Sequence, residues 1–266
     1  MRRKGGQVAE HSNAERVQYA RTGRIAHIQL NRPEKLNAFD REQVLALTDA
    51  LREFDTDTDA WIAIISGTGS SFSSGADVGE LRDRDTRASG AVDADHAGWL
   101  YRAANWKPVI TAAHGHVLGL ALGLVLQSDL RIATPATRFQ VTETSRGLPA
   151  ARYWSRLRFH AVSAFVDDVV LTGRAFSGAE AHAAGLLTAL APEGTHLELA
   201  WELAERVAAN PPLSVRASVA ARRAALQRFE RDVIGDGLPP LHLTEDFRES
   251  VAAFAEKRAA GPFHAR

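Results

Sequence analysis

Residues 109–133 read Val109-Ile-Thr-Ala-Ala113, His114-Gly115-His116, Val117-Leu118-Gly119-Leu120-Ala121-Leu122-Gly123-Leu-Val-Leu-Gln127 and Ser128-Asp129-Leu-Arg-Ile-Ala133. The first run is short, apolar and partly β-branched, as in a buried strand. A turn leads into a glycine-containing apolar segment, Gly115 to Gln127, that carries a helix. A second strand follows over Asp129 to Ala133. Strand, turn, helix and strand in so short a stretch argue for an α/β layout. The apolar run Val117 to Leu126 is only about half of the roughly 20 residues that a membrane helix needs.

The same alternation extends upstream. Val17 to Tyr19 and Ile25 to Leu30 are strand candidates around Thr22-Gly23, and Pro33 fixes a turn. Asp40 and Gln43 form a capping box for a helix whose core face is Val44, Leu47, Leu51 and Phe54. Trp61 to Ile65 is a buried strand, followed by a Gly/Ser loop from Ser66 to Gly75. Residues 79–95 are charged and short of apolar side chains, which predicts a loop, and Trp99 to Asn105 is a helix candidate.

Downstream the pattern is mostly helical. Capping boxes are expected at Ser177/Glu180 and Thr195/Glu198. The helix from Leu197 places Ala200, Leu203, Ala204 and Val207 on one face and stops at Asn210-Pro211-Pro212. Arg216 to Arg231 and Leu243 to Lys257 are two further helices.

The 266 residues suffice for a substantial core, and 45% of them are apolar. Basic and acidic residues balance at 32 each, which disfavours a general nucleic-acid binder. Of the basic residues four are lysine, at positions 4, 35, 107 and 257, and 28 are arginine. Cysteine is absent, so there is no disulfide, thiolate metal site or cysteine nucleophile. The N-terminus lacks a signal-peptide core. These features predict a soluble cytoplasmic protein with no membrane partner.

Several motifs fail. Gly67-Thr68-Gly69 has Phe72 where a dinucleotide fingerprint needs its third glycine. Neither a phosphate loop nor a Gly-x-Ser-x-Gly elbow occurs. His114 and His116 lack a third ligand, so a structural role is favoured over a metal. Arg222, Arg223, Arg228 and Arg231 suggest a solvated helix face.

Two junctions carry the chemistry. Phe72-Ser73-Ser74-Gly75-Ala76-Asp77-Val78 and His114 to Gly123 are both small-residue turns. A helix opening near Ala76 and another after Gly119 would each leave N–H groups unpaired. Two helix N-termini aimed at one point hold an oxyanion.

Together these segments resemble the crotonase (enoyl-CoA hydratase/isomerase) superfamily. The ordered set is Leu30-Asn31-Arg32-Pro33-Glu34-Lys35-Leu36-Asn37-Ala38, Phe72 to Asp77, and His114-Gly115 to Ser128-Asp129. It continues through Leu171 to Arg174, Glu180-Ala181, Gly185-Leu186, Asn210-Pro211-Pro212 and Ala252 to Arg258. The resemblance spans roughly residues 17–258.

Residues 1–16 are polar and are expected to be a disordered extension. The resemblance implies a spiral of ββα units over 17–200 and a helical region over 201–266. That last region would drive assembly into a homotrimer or a dimer of trimers. The ligand would be an acyl-CoA thioester of fatty acid metabolism, with no cofactor besides the coenzyme A of the substrate. The thioester oxygen would sit between the N–H groups of Ala76 and Leu120, which stabilise an enolate. Lys35, Leu36, Ser74, Ala76, Asp77, Val78, Leu120, Phe254 and Lys257 match positions that contact the CoA substrate.

Hydratases of the superfamily use two glutamates. One position is Gly123 here; the other maps onto Glu143. A single glutamate suits double-bond isomerisation, which moves one proton between two carbons, better than hydration, the alternative reading. An alternative of another class is a non-catalytic acyl-CoA binder, favoured by Gly123 and Arg152 and opposed by Glu143. Gln127, one turn beyond Gly123, is a candidate to orient a water, though it is no base. His96 is a possible accessory residue. The usual three-glycine turn is Gly119-Leu120-Ala121, and the acyl-pocket glycines are replaced by Ala150-Ala151-Arg152-Tyr153-Trp154. Arg146 or Arg152 would meet an acidic acyl group or pair with Glu143.

Overall fold

The structure, a computed structural model, describes residues 16–77, 106–235, 237 and 239–266. The expected extension up to residue 15, the 79–95 loop, the Trp99 to Asn105 helix, Val78 and His96 lie outside them. Arg16, assigned to the extension, is instead tied to the fold: its carbonyl accepts from Asn31 N–H and its guanidinium binds Asp40 and Glu42.

β1 (Val17–Thr22) and β2 (Ile25–Leu30) form the expected antiparallel hairpin. Asp40 caps α1 (Arg41–Thr56), accepting from Gln43 N–H at 2.8 Å. The reciprocal half of the capping box is missing, because the Gln43 side-chain amide is buried with no hydrogen bond. The expected face of α1 is buried against β1 and β2.

β3 (Ile62–Gly67), β4 (Val109–Ala113), β6 (Leu130–Ala133) and β9 (Ala189–Leu190) continue the sheet in the order β1-β2-β3-β4-β6-β9, parallel from β2 onward. Burial on both faces explains the largely apolar runs that make these strands recognisable. Side chains alternate across β3. Ala63 and Ile65 join the main core, whereas Ile62 and Ile64 meet Ala200 and Ala204.

Between β4 and β6 the chain makes β5 (His116–Leu118) and α2 (Leu120–Gln127). The strand β5 was not expected. It pairs with β7 (Arg138–Gln140), which also pairs with β8 (Ala175–Ser177), giving a second, three-stranded sheet.

Helices α3 (Ala151–His160) and α4 (Ser163–Thr172) lie between β7 and β8, and α5 (Gly178–Ala183) follows β8. The Ser177/Glu180 capping box is present in full. The one expected at Thr195/Glu198 is not: Thr195 Oγ1 donates to Pro192 O instead of capping the helix. α6 (His196–Ala208), α7 (Pro212–Ile234) and α8 (Glu245–Ala255) end the chain. The expected division at residue 200 therefore falls inside α6.

The arginine-rich face of α7 is not simply solvated. Arg222 and Arg223 both bind Asp129, at the start of β6, and Arg223 also donates to Lys107 O. Farther along α7, buried Glu230 accepts from Arg152 and Arg156 of α3. No helix among the described residues is long and apolar enough to cross a membrane.

Burial holds two histidines neutral. It pushes His160 down to about 3, helped by the Arg131 and Arg222 charges. It pushes His196 down to about 4, helped by His114, whose ring is stacked on it. The unfolded chain takes up these protons near the ordinary value of 6.5. Stability from these groups is therefore complete above that pH and is lost as pH falls toward 3–4. Thermal melts at stepped pH are expected to show Tm dropping across this window, with a shallower slope in His160→Gln.

Candidate active site

Two segments are laced together at the C-terminal end of the parallel strands. Ser73 bridges Val117: Ser73 N–H donates to His116 O and Leu118 N–H donates to Ser73 O. Gly75 follows, with φ at +87°. A Cβ on Gly75 would lie 2.5 Å from Leu118 O and 3.6 Å from Leu120 N. Only glycine permits this approach.

The helix expected to open near Ala76 would run into residues beyond Asp77, outside those described. Ala76 itself forms a parallel bridge with Phe39, in which Phe39 N–H donates to Gly75 O and Asp77 N–H to Phe39 O. In this pattern the N–H of the middle residue points away from its bridge partner. Leu120 is the first residue of α2, so its N–H has no acceptor within the helix. Two adjoining segments thus each offer a backbone donor.

Glu143 comes to the same place through the second sheet. The β5–β7 pairing ends at Leu118 and Gln140, and Gly119 N–H donates to Gln140 O at 3.0 Å. The next residues of each strand are therefore neighbours. A Cβ on Gly119 would lie 2.5 Å from Thr142 Oγ1 and 3.4 Å from Glu143 Oε1. Glu143 heads a single 3-10 turn, Thr144–Arg146, and its carbonyl accepts from Arg146 N–H and Leu148 N–H. Arg146 lies over the Phe254 ring at 3.5 Å. Burial is the main influence on this guanidinium and lowers its pKa, while the Glu143 charge opposes that shift.

One turn along α2, Gly123 faces α3. A Cβ there would lie 3.5 Å from Tyr153 Oη and 3.7 Å from Arg156 Nη1. A side chain at 123 would therefore start in van der Waals contact with both. Arg156 is 2% exposed and is held by Glu230.

Residues 20–264 match the family model described as enoyl-CoA hydratase/isomerase. The chain belongs to this family. It is 30% identical over 247 residues to the 2,3-dehydroadipyl-CoA hydratase of Escherichia coli, covering 90% of this chain and 95% of that one. It is 33% identical over 246 residues to a probable enoyl-CoA hydratase of Rhizobium meliloti, covering 90% and 94% respectively. The crystal structure of carnitinyl-CoA hydratase from Mycobacterium avium superposes with a TM-score of 0.76 at 31% identity, covering 95% of this chain and 99% of that one. The α/β architecture is thus the crotonase fold, with its helical C-terminal region.

Within this enoyl-CoA hydratase/isomerase frame, the structure gathers most of the expected positions. Ser74 N–H donates to Leu36 O at 2.9 Å, and Asp77 pairs with Arg32 at 2.9 Å. Lys35 is exposed on the same 3-10 turn, Pro33–Lys35. These residues form one patch beside Ala76. Phe254 and Lys257 lie elsewhere, on and just beyond α8, which packs on the Glu143 turn. Among the described residues no hydrogen bond or ion pair joins Lys257 to the Lys35 segment.

Two accessory candidates have partners within the fold. Arg152 is bound to Glu230 of α7. Gln127 is buried, and its amide N–H donates to Gly123 O at 3.1 Å, so that donor is committed to the backbone. Sequence reasoning missed Tyr153 and Arg156 as neighbours of Gly123. Their i, i+3 spacing was a usable signal, because it puts both on one face of a helix.

Proposed function

We propose that this protein binds an acyl-CoA thioester, holds its carbonyl oxygen on the N–H groups of Ala76 and Leu120, and moves a double bond from C3 to C2. Glu143 is the single carboxylate of the site and serves as acid/base. It removes a proton from C2, and the electron pair passes to the thioester oxygen as an enolate. Collapse of the enolate shifts the double bond to C2–C3, and a proton returns at C4. Atoms and charge balance without a cofactor beyond the CoA of the substrate. The Lys35, Leu36, Ser74, Ala76 and Asp77 patch takes the nucleotide end, and Phe254 and Lys257 contribute from the C-terminal helix.

One observation carries this reading. The Glu143 carboxylate lies against Gly119, the residue just before Leu120, and position 123 offers no second carboxylate. Hydration of a 2-enoyl-CoA is the second reading, favoured by the names of the relatives. Turnover of 3-enoyl-CoA and 2-enoyl-CoA substrates, each followed for product, separates them. Isomerised product from the 3-enoyl substrate supports the first reading. Hydroxyacyl product from the 2-enoyl substrate alone overturns it.

The backbone donors have their own test. In Gly75→Ala the new methyl group collides with Leu118 O, at a φ that strains any other residue. Displacing one donor of an oxyanion site is expected to cost about a hundredfold or more in kcat. Steady-state kinetics of the folded variant would show it.

A further inference from the structure

We infer that Tyr153 is a second catalytic residue, the acid that supplies the proton at C4. The inference rests on the isomerisation reading above. Its basis is what surrounds α2. Glu143 Oε1 lies against position 119 and Tyr153 Oη against position 123. Gly123 N–H donates to Gly119 O at 3.0 Å, so the two positions lie one helical turn apart at the start of α2. An acyl chain whose oxygen is held at Leu120 N–H, between these positions, has C2 toward one group and its later carbons toward the other.

Of Tyr153, Arg156 and Gln127, which meet Gly123, Tyr153 carries the proton that can be transferred. The Gln127 amide does not act as an acid, and the Arg156 guanidinium does not deprotonate. The Tyr153 ring packs on the main core, which fixes it, while the side chain remains partly accessible. Arg156 Nη1 lies beside the same point as Oη, so a positive charge accompanies the phenol when it gives up its proton.

The step balances. Glu143 takes the C2 proton, the enolate forms, and the phenol O–H bond breaks as the C4–H bond forms. The double bond then lies between C2 and C3. The phenolate regains a proton from protonated Glu143, which restores both groups.

Two events in one experiment test this. A 3-enoyl-CoA is incubated in D2O, and mass spectrometry follows deuterium entering C2 of recovered substrate alongside formation of the 2-enoyl isomer. Tyr153→Phe keeps the ring and its packing. It is expected to retain C2 exchange near the wild-type rate while isomerisation falls about a hundredfold or more. Isomerisation at the wild-type rate in Tyr153→Phe overturns the inference and leaves Glu143 with both transfers. Loss of exchange and isomerisation together also overturns it, because Tyr153 then merely supports the site. Wild-type protein that neither exchanges nor isomerises overturns the isomerisation reading itself and this inference with it. Fluorotyrosine at 153, which preserves the contacts and lowers the phenol pKa, is the second variant. It is expected to shift the alkaline limb of the isomerisation profile and not that of exchange; an unmoved limb counts against the inference.

Discussion

Replacing Glu143 by alanine is expected to lower isomerisation about a thousandfold, within the roughly 10²–10⁴ range of a positioned acid/base. The loss should appear in kcat. The proposed carbonyl contacts come from backbone N–H groups of Ala76 and Leu120, and neither depends on the carboxylate. Affinity for a non-reactive acyl-CoA should therefore be retained within a few fold, measured by calorimetry. Glu143→Gln is the sharper variant. It keeps the length of the side chain and an acceptor for Thr142 Oγ1, yet it takes up no proton. Comparable kcat losses in both variants assign the effect to proton transfer. Full activity in Glu143→Gln would remove Glu143 from the mechanism. An acyl-CoA binder without chemistry would show no difference, because the wild type would already be inactive.

The strands that hold this site are easy to read in the sequence because they are buried on both faces. Ile62 to Ile65 therefore appears as an uninterrupted apolar run, and Val109 to Ala113 as one broken only by Thr111. Helix α2 is equally plain. The site itself is less so, because long-range pairing builds it. Three residues of β5 carry little local signal, yet their register with β7 sets Glu143 beside Gly119. The family pattern gives the identity of Glu143; only the pairing explains its position.

Ala76 shows the same limit. The turn of small residues is visible in the sequence, but the bridge that aims the donor joins it to Phe39, 37 positions earlier in the chain. Arg152 is the converse case. A cation near the site invites an anionic partner, and the partner is Glu230, 78 residues away on α7. No local pattern encodes such a match. α3 escaped notice because arginines and aromatics alternate along it, and its buried face includes Arg156 itself.

Asp129 governs stability rather than chemistry, and its removal is the largest structural effect expected. The carboxylate is 8% exposed and accepts from Val109 N–H at 2.8 Å and from Arg222 and Arg223 at 2.6 Å each. It thus joins the start of β6 to β4 and to α7. The Arg223 side chain is only 4% exposed. Asp129→Ala strands that charge in the interior, and breaking a buried pair in this way costs about 3–5 kcal/mol. Urea denaturation should register the loss as a lower midpoint with an unchanged slope. The exposed pair Arg174–Asp168, at 2.6 Å, is the control. Asp168→Ala should cost no more than about 1 kcal/mol, since water solvates the charge left behind. Geometry alone ranks the two pairs equally, so the difference measures burial. Adding Arg223→Met to Asp129→Ala removes the stranded charge and is expected to recover part of the stability. A double variant as unstable as Asp129→Ala alone would locate the cost in the lost Val109 and Arg222 hydrogen bonds instead.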